Sequence, residues 1–203
     1  METIIRDIVH QREKNKPFII GIDGLGGAGK TTCAKCLQHA LISKGMKVVL
    51  LHMDDFIHPK RIRYNHEKAD WHCYYYLQWR YDYILKNILK PIQLGEEIHC
   101  TVEIYDKFQD NYFLKQLDID NQTILIIEGV FIQRPLLRDY FHYVIYLHVS
   151  KEKRLKRVLK RDTYIGDWSM ILEKYENRYF PAEDIYVSQC CPDEKADYVV
   201  GKV

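Results

Sequence analysis

Apolar positions along the chain fall into two rhythms, and the rhythms alternate. Ile4, Ile5, Ile8 and Val9 recur at helical spacing within residues 2–14, and Pro17 ends that segment. Phe18-Ile19-Ile20-Gly21-Ile22 follows as a short apolar run, the pattern of a strand covered on both faces. Residues 31–43 return to helical spacing through Ala34, Leu37, Ala40 and Leu41, with Lys44-Gly45 as the stop signal. Val48-Val49-Leu50-Leu51 reads as a second buried strand, ending at Met53-Asp54-Asp55. Residues 57–70 are polar and turn-like. From Trp71 to Leu89 the spacing of Tyr74, Leu77, Tyr81, Ile84, Leu85 and Ile88 predicts one long helix closed by Pro91. Residues 98–118 are ambiguous, although 98–104 alternates well enough for short antiparallel strands. Residues 123–127 and 143–149 read as further buried strands, and 196–200 as a last short one. Residues 151–161 and 169–178 read as helices.

Apolar strands alternating with helices predict an α/β protein with a parallel sheet and crossover connections. Ligands of such sheets sit at the carboxyl ends of the strands. Three segments with candidate chemistry fall at such ends: a glycine-rich loop after Ile22, the Asp54-Asp55 pair, and Glu128.

Composition acts mainly by exclusion. A chain of 203 residues with 47% hydrophobic and 29% charged positions suits one folded domain and argues against disorder. A formal net charge of +2 gives no broad basic field, so nucleic acid is not the expected partner. No apolar run approaches membrane-spanning length, and the first residues lack an apolar signal core, so no membrane partner is expected. Six cysteines are too sparse for a disulfide framework, so reduced thiols in a cytoplasmic protein are expected. Cys33 and Cys36 have the spacing of half a zinc site, but no second pair completes it, and a structural role is expected.

The loop Gly24-Leu25-Gly26-Gly27-Ala28-Gly29-Lys30-Thr31 carries the most specific chemistry. Its glycines let successive backbone N–H groups turn toward an anion, and the following helix adds its positive N-terminal end. Lys30 can reach the β- and γ-phosphates of a nucleotide, and the Thr31 hydroxyl suits Mg²⁺; Thr32 follows on the same helix. Gly24, Gly26 and Gly29 also fit a dinucleotide fingerprint, but that reading leaves Lys30 and Thr31 unexplained.

Phosphoryl transfer needs alignment, charge neutralisation and a place for the acceptor's proton. Asp54, just past the second strand, could accept that proton, hold Mg²⁺, or both. Glu128 closes a buried strand and is read as a metal or water ligand. Arg154, Arg157 and Arg161 share one side of a basic helix and could close over the nucleotide. His52 and His58 flank the Asp54 turn.

These residues resemble the uridine kinase and phosphoribulokinase-like branch of P-loop kinases over most of residues 18–200. The resemblance rests on Gly21-Ile22-Asp23-Gly24 with the loop, Met53-Asp54-Asp55-Phe56, Tyr105-Asp106, Ile127-Glu128-Gly129-Val130, Arg154–Asp162 and Phe180-Pro181-Ala182. It implies a three-layer P-loop NTPase fold: a mainly parallel five-stranded sheet, helices on both faces and a helical lid. Residues 1–203 would then form one kinase domain, with the lid near 151–180. It also implies ATP and Mg²⁺ as cofactors, Asp54 as general base, and Thr31, Asp54 and Glu128 around the metal. Lys30, Arg157 and Arg161 would hold phosphates, while Asp54, Asp70, Tyr105 and Asp106 would meet a small hydroxyl acceptor.

The stretch Lys107-Phe108-Gln109-Asp110-Asn111-Tyr112 departs from the His and Arg by which nucleoside kinases of this branch recognise a pyrimidine nucleoside. The expected activity is therefore transfer of the ATP γ-phosphate to a nucleoside or similar alcohol, with the acceptor open. Two alternatives are a nucleotide-dependent switch acting through a protein partner and a nucleotide-binding protein without catalysis. The aromatic stretch at 71–89 is either a packing face or a dimer face, so a homo-oligomer is also considered.

Overall fold

The computed structural model describes residues 1–201. Five strands form the main sheet: β1 (Phe18–Gly24), β2 (Lys47–His52), β5 (Thr123–Gly129), β6 (Tyr143–Leu147) and β7 (Tyr198–Val200). All pair parallel, in the order β2-β5-β1-β6-β7. The ambiguous stretch resolves into a separate antiparallel hairpin, β3 (Ile98–Asp106) and β4 (Asn111–Ile119).

The central strands are apolar at nearly every position because both faces are covered. Successive residues serve opposite cores. Ile20, Ile22, Ile124, Ile126 and Ile145 pack with the helices Glu2–Gln11 and Lys30–Ile42. Ile19, Leu125, Ile127 and Val144 pack with the helices of residues 70–93, the hairpin and the C-terminal helix. Each isoleucine fully buried in this way contributes about 2 kcal/mol relative to exposure. The result is the expected three-layer α/β arrangement. A small third core of Val158, Ile171, Tyr175 and Phe180 joins the basic helix Lys151–Arg161 to the C-terminal helix.

The helix expected over 71–89 is broken at residues 78–80. Hydrogen bonding to the chain after Asp54 overrides the helical spacing there. His58 N donates to Gln78 O (2.8 Å), Arg80 N donates to Phe56 O (2.9 Å), and Ile57 bridges to Trp79. The Trp79 indole N–H meanwhile donates to Tyr74 O (2.8 Å) and stops the first helix. The broken helix thereby anchors the turn that carries Asp54.

Two prolines do not act as stops. Pro91 lies inside a helix that runs on to Gln93, and Pro181 inside one that runs continuously over residues 168–190. Each follows a widened π turn, Leu85–Leu89 and Tyr175–Tyr179 respectively. A proline supplies no N–H to the preceding turn, and the widened turn accommodates its ring and the missing bond. Two strand limits also shift: the strand expected to reach Val149 ends at Leu147, and the one expected from Ala196 begins at Tyr198.

Gly129 shows how closely two strand ends approach. A Cβ placed there would collide with the Met53 side chain, which sits directly before Asp54. Gly129→Ala should therefore cost about 1–3 kcal/mol of stability, typical of overpacking. Urea unfolding reads this as a lower midpoint, and an unchanged midpoint would show that Met53 yields freely.

Candidate functional site

Strand register brings the site residues to one edge of the sheet. Glu128 on β5 lies opposite Ile22 of β1 and opposite His52 of β2. The glycine loop starts two residues later, at Gly24, and the Asp54 turn leaves β2 in the same direction.

The loop is shaped by its backbone. Gly27 has φ +79°, and a Cβ there would lie 2.8 Å from Val158 Cγ1 of the basic helix. Only glycine allows that helix to press on the loop. The next helix begins at Lys30, so its positive end faces the loop's concavity. Lys30 Nζ donates to Leu25 O (3.2 Å). Burial pulls its pKa down, against the nearby carboxylates of Glu128, Asp54, Asp23 and Glu183.

One oxygen organises the acidic side. Glu128 Oε1 accepts from the Thr31 hydroxyl (2.9 Å) and meets His52 Nδ1 (2.6 Å). The bond to Glu128 raises the pKa of His52 despite partial burial. Burial works against ionisation of Glu128, but the His52 bond, the Lys30 charge and the Thr31 bond outweigh it and lower its pKa. Asp54 is open to solvent yet crowded by the walls of a cleft. That desolvation raises its pKa above the ordinary 3.8; Lys30 opposes the shift, while Glu128 and Asp55 add to it. The two strand-end carboxylates are thus pushed apart in basicity, Glu128 toward a permanent anion and Asp54 toward a group that can take a proton.

Behind the loop lies a buried clamp. Gly26 N donates to Glu183 Oε1 (2.7 Å), and Gly26 O accepts from Arg154 Nη1 (3.0 Å). Arg154 and Glu183 also pair directly at 2.8 Å, with both side chains nearly inaccessible. Arg157 donates to the carbonyls of Gly27 and Ala28 (3.2 Å each), docking the basic helix on the loop. Asp23, at the loop's root, is fully buried and accepts from Gly24 N, Gln133 Nε2 and the Tyr186 hydroxyl. Burial raises its pKa against those three bonds.

The other expected residues divide. Ala28 packs into the core, and Thr32 is exposed on the helix behind the loop. Asp70 is exposed at the start of a helix, with its carbonyl accepting from Arg178 (3.1 Å). The Tyr105 hydroxyl accepts from Arg63 Nη2 and donates to Asp110 Oδ1, both at 2.7 Å. Two residues are engaged elsewhere. Asp106 accepts from the N–H groups of Phe108 and Gln109 and so caps the hairpin turn. Arg161 pairs with Asp162 (2.6 Å) rather than with the loop. Glu183, Gln133 and Tyr186 are partners the sequence did not announce. A glutamate at a helical position reads as solvated, and nothing local marks Glu183 as buried.

A parallel sheet of this order, with a Gly-x-x-x-x-Gly-Lys-Thr loop leaving its central strand and a basic helix docked on that loop, defines a P-loop kinase. Residues 19–203 match the phosphoribulokinase / uridine kinase family, and the chain belongs to that family. It is 27% identical to a uridine kinase of Staphylococcus epidermidis over 92% of this chain and 88% of that one. It is also 27% identical to a pantothenate kinase of Bradyrhizobium diazoefficiens, over 86% of this chain and 58% of that one. Among solved structures, a possible uridine kinase from Bacillus stearothermophilus superposes with a TM-score of 0.77 at 29% identity, covering 98% of this chain and 99% of that one. The chain is a small-molecule kinase of P-loop type, a class that uses ATP. Among the described residues no helix is long and apolar enough to cross a membrane.

Removing the Glu183 carboxylate would leave Arg154 buried without its counter-charge and Gly26 N–H without an acceptor. Glu183→Ala should cost about 3–5 kcal/mol of stability, as for other broken buried pairs. Glu183→Gln keeps an oxygen for Gly26 and should cost less. Equal unfolding midpoints for the two variants would show that the charge pair, not the Gly26 bond, dominates.

Proposed function

We propose that the protein transfers the γ-phosphoryl group of ATP, with Mg²⁺, to a hydroxyl of a nucleoside or a similar small alcohol. The observation that carries this reading is Asp54, a carboxylate of raised basicity at the mouth of a cleft shared with Lys30 and the Thr31–Glu128 pair. Asp54 is suited to accept the proton as the acceptor oxygen bonds to the γ-phosphorus and the bond to ADP breaks. Lys30 and the loop N–H groups would hold the β- and γ-phosphates. Arg157, already on the loop carbonyls, is placed to answer charge on the transferred group. Arg161 would have to leave Asp162 to join it. Asp70, exposed at the start of its helix, and Tyr105 would meet the acceptor, with Asp106 shaping the hairpin turn.

The donor set fits Mg²⁺. Thr31, Asp54 and Glu128 offer a hydroxyl and carboxylates, all hard oxygen donors. Among the described residues no cluster of three or more His, Cys, Asp or Glu side chains is arranged to hold a metal. That suits an ion held by one or two carboxylates and completed by phosphate and water. When bound, the ion would neutralise charge on the β- and γ-phosphates.

One relative is named for uridine and another for pantothenate, which supports a reading in which the phosphate machinery is shared and the acceptor varies.

Asp54→Asn should lower kcat by about 10²- to 10⁴-fold while leaving ATP binding largely intact. Lys30→Ala should weaken ATP binding itself. Full turnover by the Asn variant would remove Asp54 as base. In the unsubstituted enzyme the rate falls toward acid as Asp54 takes up its proton. Because that pKa is raised, the acid limb of kcat/KM should lie above pH 3.8. A limb at or below the ordinary carboxylate value would show that no raised group is needed.

A further inference from the structure

Two arginine side chains are fully buried in the described structure, Arg154 and Arg178, and they are treated differently. Arg154 has Glu183 at 2.8 Å. Arg178, 1% exposed, meets only neutral acceptors: the Asp70 carbonyl (3.1 Å), the Arg63 carbonyl (3.4 Å) and Gln78 Oε1 (2.8 Å). Its Nε has no partner. A buried guanidinium without a counter-charge is costly, because neutral dipoles offset only part of the lost hydration.

Arg63 stands on the other side of the same tyrosine. The Tyr64 ring lies 4.3 Å from the Arg178 guanidinium and 5.5 Å from that of Arg63. Arg63 is half-buried, stacks on Tyr105 at 4.9 Å and donates only to the Tyr105 hydroxyl (2.7 Å), with its buried Nε unpaired. Asp110, one hydroxyl removed from Arg63, already accepts from Tyr105 and from Lys60 N. Among the described residues neither Arg63 nor Arg178 forms an ion pair.

The pair belongs to the acceptor side of the cleft. Arg178 also stacks on Tyr74 (5.4 Å), which lies within electrostatic reach of Asp54. Tyr164, projecting 78% exposed from the lid region, lies within reach of both Asp54 and Tyr64. The basic groups of the nucleotide side, Lys30, Arg154 and Arg157, are separate and engaged with the loop.

We infer that the hydroxyl acceptor carries an anionic group, a carboxylate or a phosphate, and that Arg63 receives it, with the uncompensated charge of Arg178 behind. This rests on the kinase reading above and narrows its acceptor from any small alcohol to an anionic one. Arg63 offers a planar fork matched to two oxygens of such a group, while the hydroxyl at the acceptor's other end meets Asp54.

The test uses matched probes on the full chain with Mg²⁺: D-glycerate against glycerol, pantothenate against pantothenol, and ribose 5-phosphate against ribose. Binding is measured calorimetrically with a non-hydrolysable ATP analogue present, and phosphorylation separately with ATP. At least one anionic member should bind at least about 10-fold more tightly than its neutral partner, the scale of one charge-assisted contact. The carboxylate and phosphate pairs show which group is preferred. Arg63→Gln should erase that advantage, and Arg63→Lys should restore part of it; binding of the ATP analogue checks that each variant is folded. Anionic probes that bind no better than their neutral partners, absence of binding included, overturn the inference. So does an advantage that survives Arg63→Gln. Failure of the kinase reading looks different: anionic probes bind in an Arg63-dependent way, yet no phosphorylated product forms.

Discussion

The structure depends most on how the Gly26 peptide is held. Its N–H and its carbonyl are both satisfied by one buried ion pair, Glu183 with Arg154. A glycine-rich loop is entropically expensive to fix, since glycine loses more backbone freedom than any other residue. Contacts made by bound phosphate cannot hold it before phosphate arrives. The pair does so instead, in a place where each charge has its counter-charge and each carboxylate oxygen a donor. Such pairs add little net stability by themselves, but losing one partner is severe. The loop's shape is therefore tied to the integrity of two helices distant in sequence.

One of those helices reaches every part of the site. Along residues 168–190, Tyr175 donates to Asp162 at the end of the basic helix (2.7 Å), and Arg178 holds the carbonyls of Arg63 and Asp70. Farther along, Glu183 holds Gly26, and Tyr186 holds Asp23. In a regular helix these four side chains would drift around the axis. The widened turn at Tyr175–Tyr179 resets the phase between the first two and the last two. The basic helix, the segment from Arg63 to Asp70 and the glycine loop thus share one continuous helix, so a shift of any one is felt by the others through packed contacts rather than through a flexible linker.

What could be read from the sequence follows from how local each cause is. The parallel sheet, the loop and the strand-end carboxylates were legible because each is written in a contiguous run: an apolar strand, then the residue that ends it. The break at residues 78–80 was not, because its cause is hydrogen bonding from residues 56–58, twenty positions away. Pro91 misled for the opposite reason: a sound local rule was overridden by a change of helix type. Glu183 and Gln133 were invisible because burial of a polar side chain depends on a partner that no spacing rule names. The spacing that groups Arg161 with Arg154 and Arg157 could not reveal that the adjacent Asp162 takes its guanidinium.

The same distinction separates the two halves of the cleft. On the proposed reading phosphate would be met largely by backbone N–H groups, a helix end and one lysine, and backbone geometry is set by glycine positions visible in the chain. On that reading the acceptor would be met by side chains from the 60–64 segment, the helix starting at Asp70, the β3–β4 hairpin and residues 151–180, four elements with no common pattern. Arg63, Tyr64, Tyr105 and Arg178 come together only because Arg178 bonds the carbonyls of Arg63 and Asp70 and because Asp110 ties the hairpin to Lys60 N (2.9 Å). A chain can therefore keep its phosphate chemistry unchanged while these few side chains are exchanged, since none of them shapes the loop. The surplus of guanidinium charge on the acceptor side is then a feature that sheet, loop and strand-end acids neither require nor explain, and an anionic ligand would supply the counter-charge they leave missing.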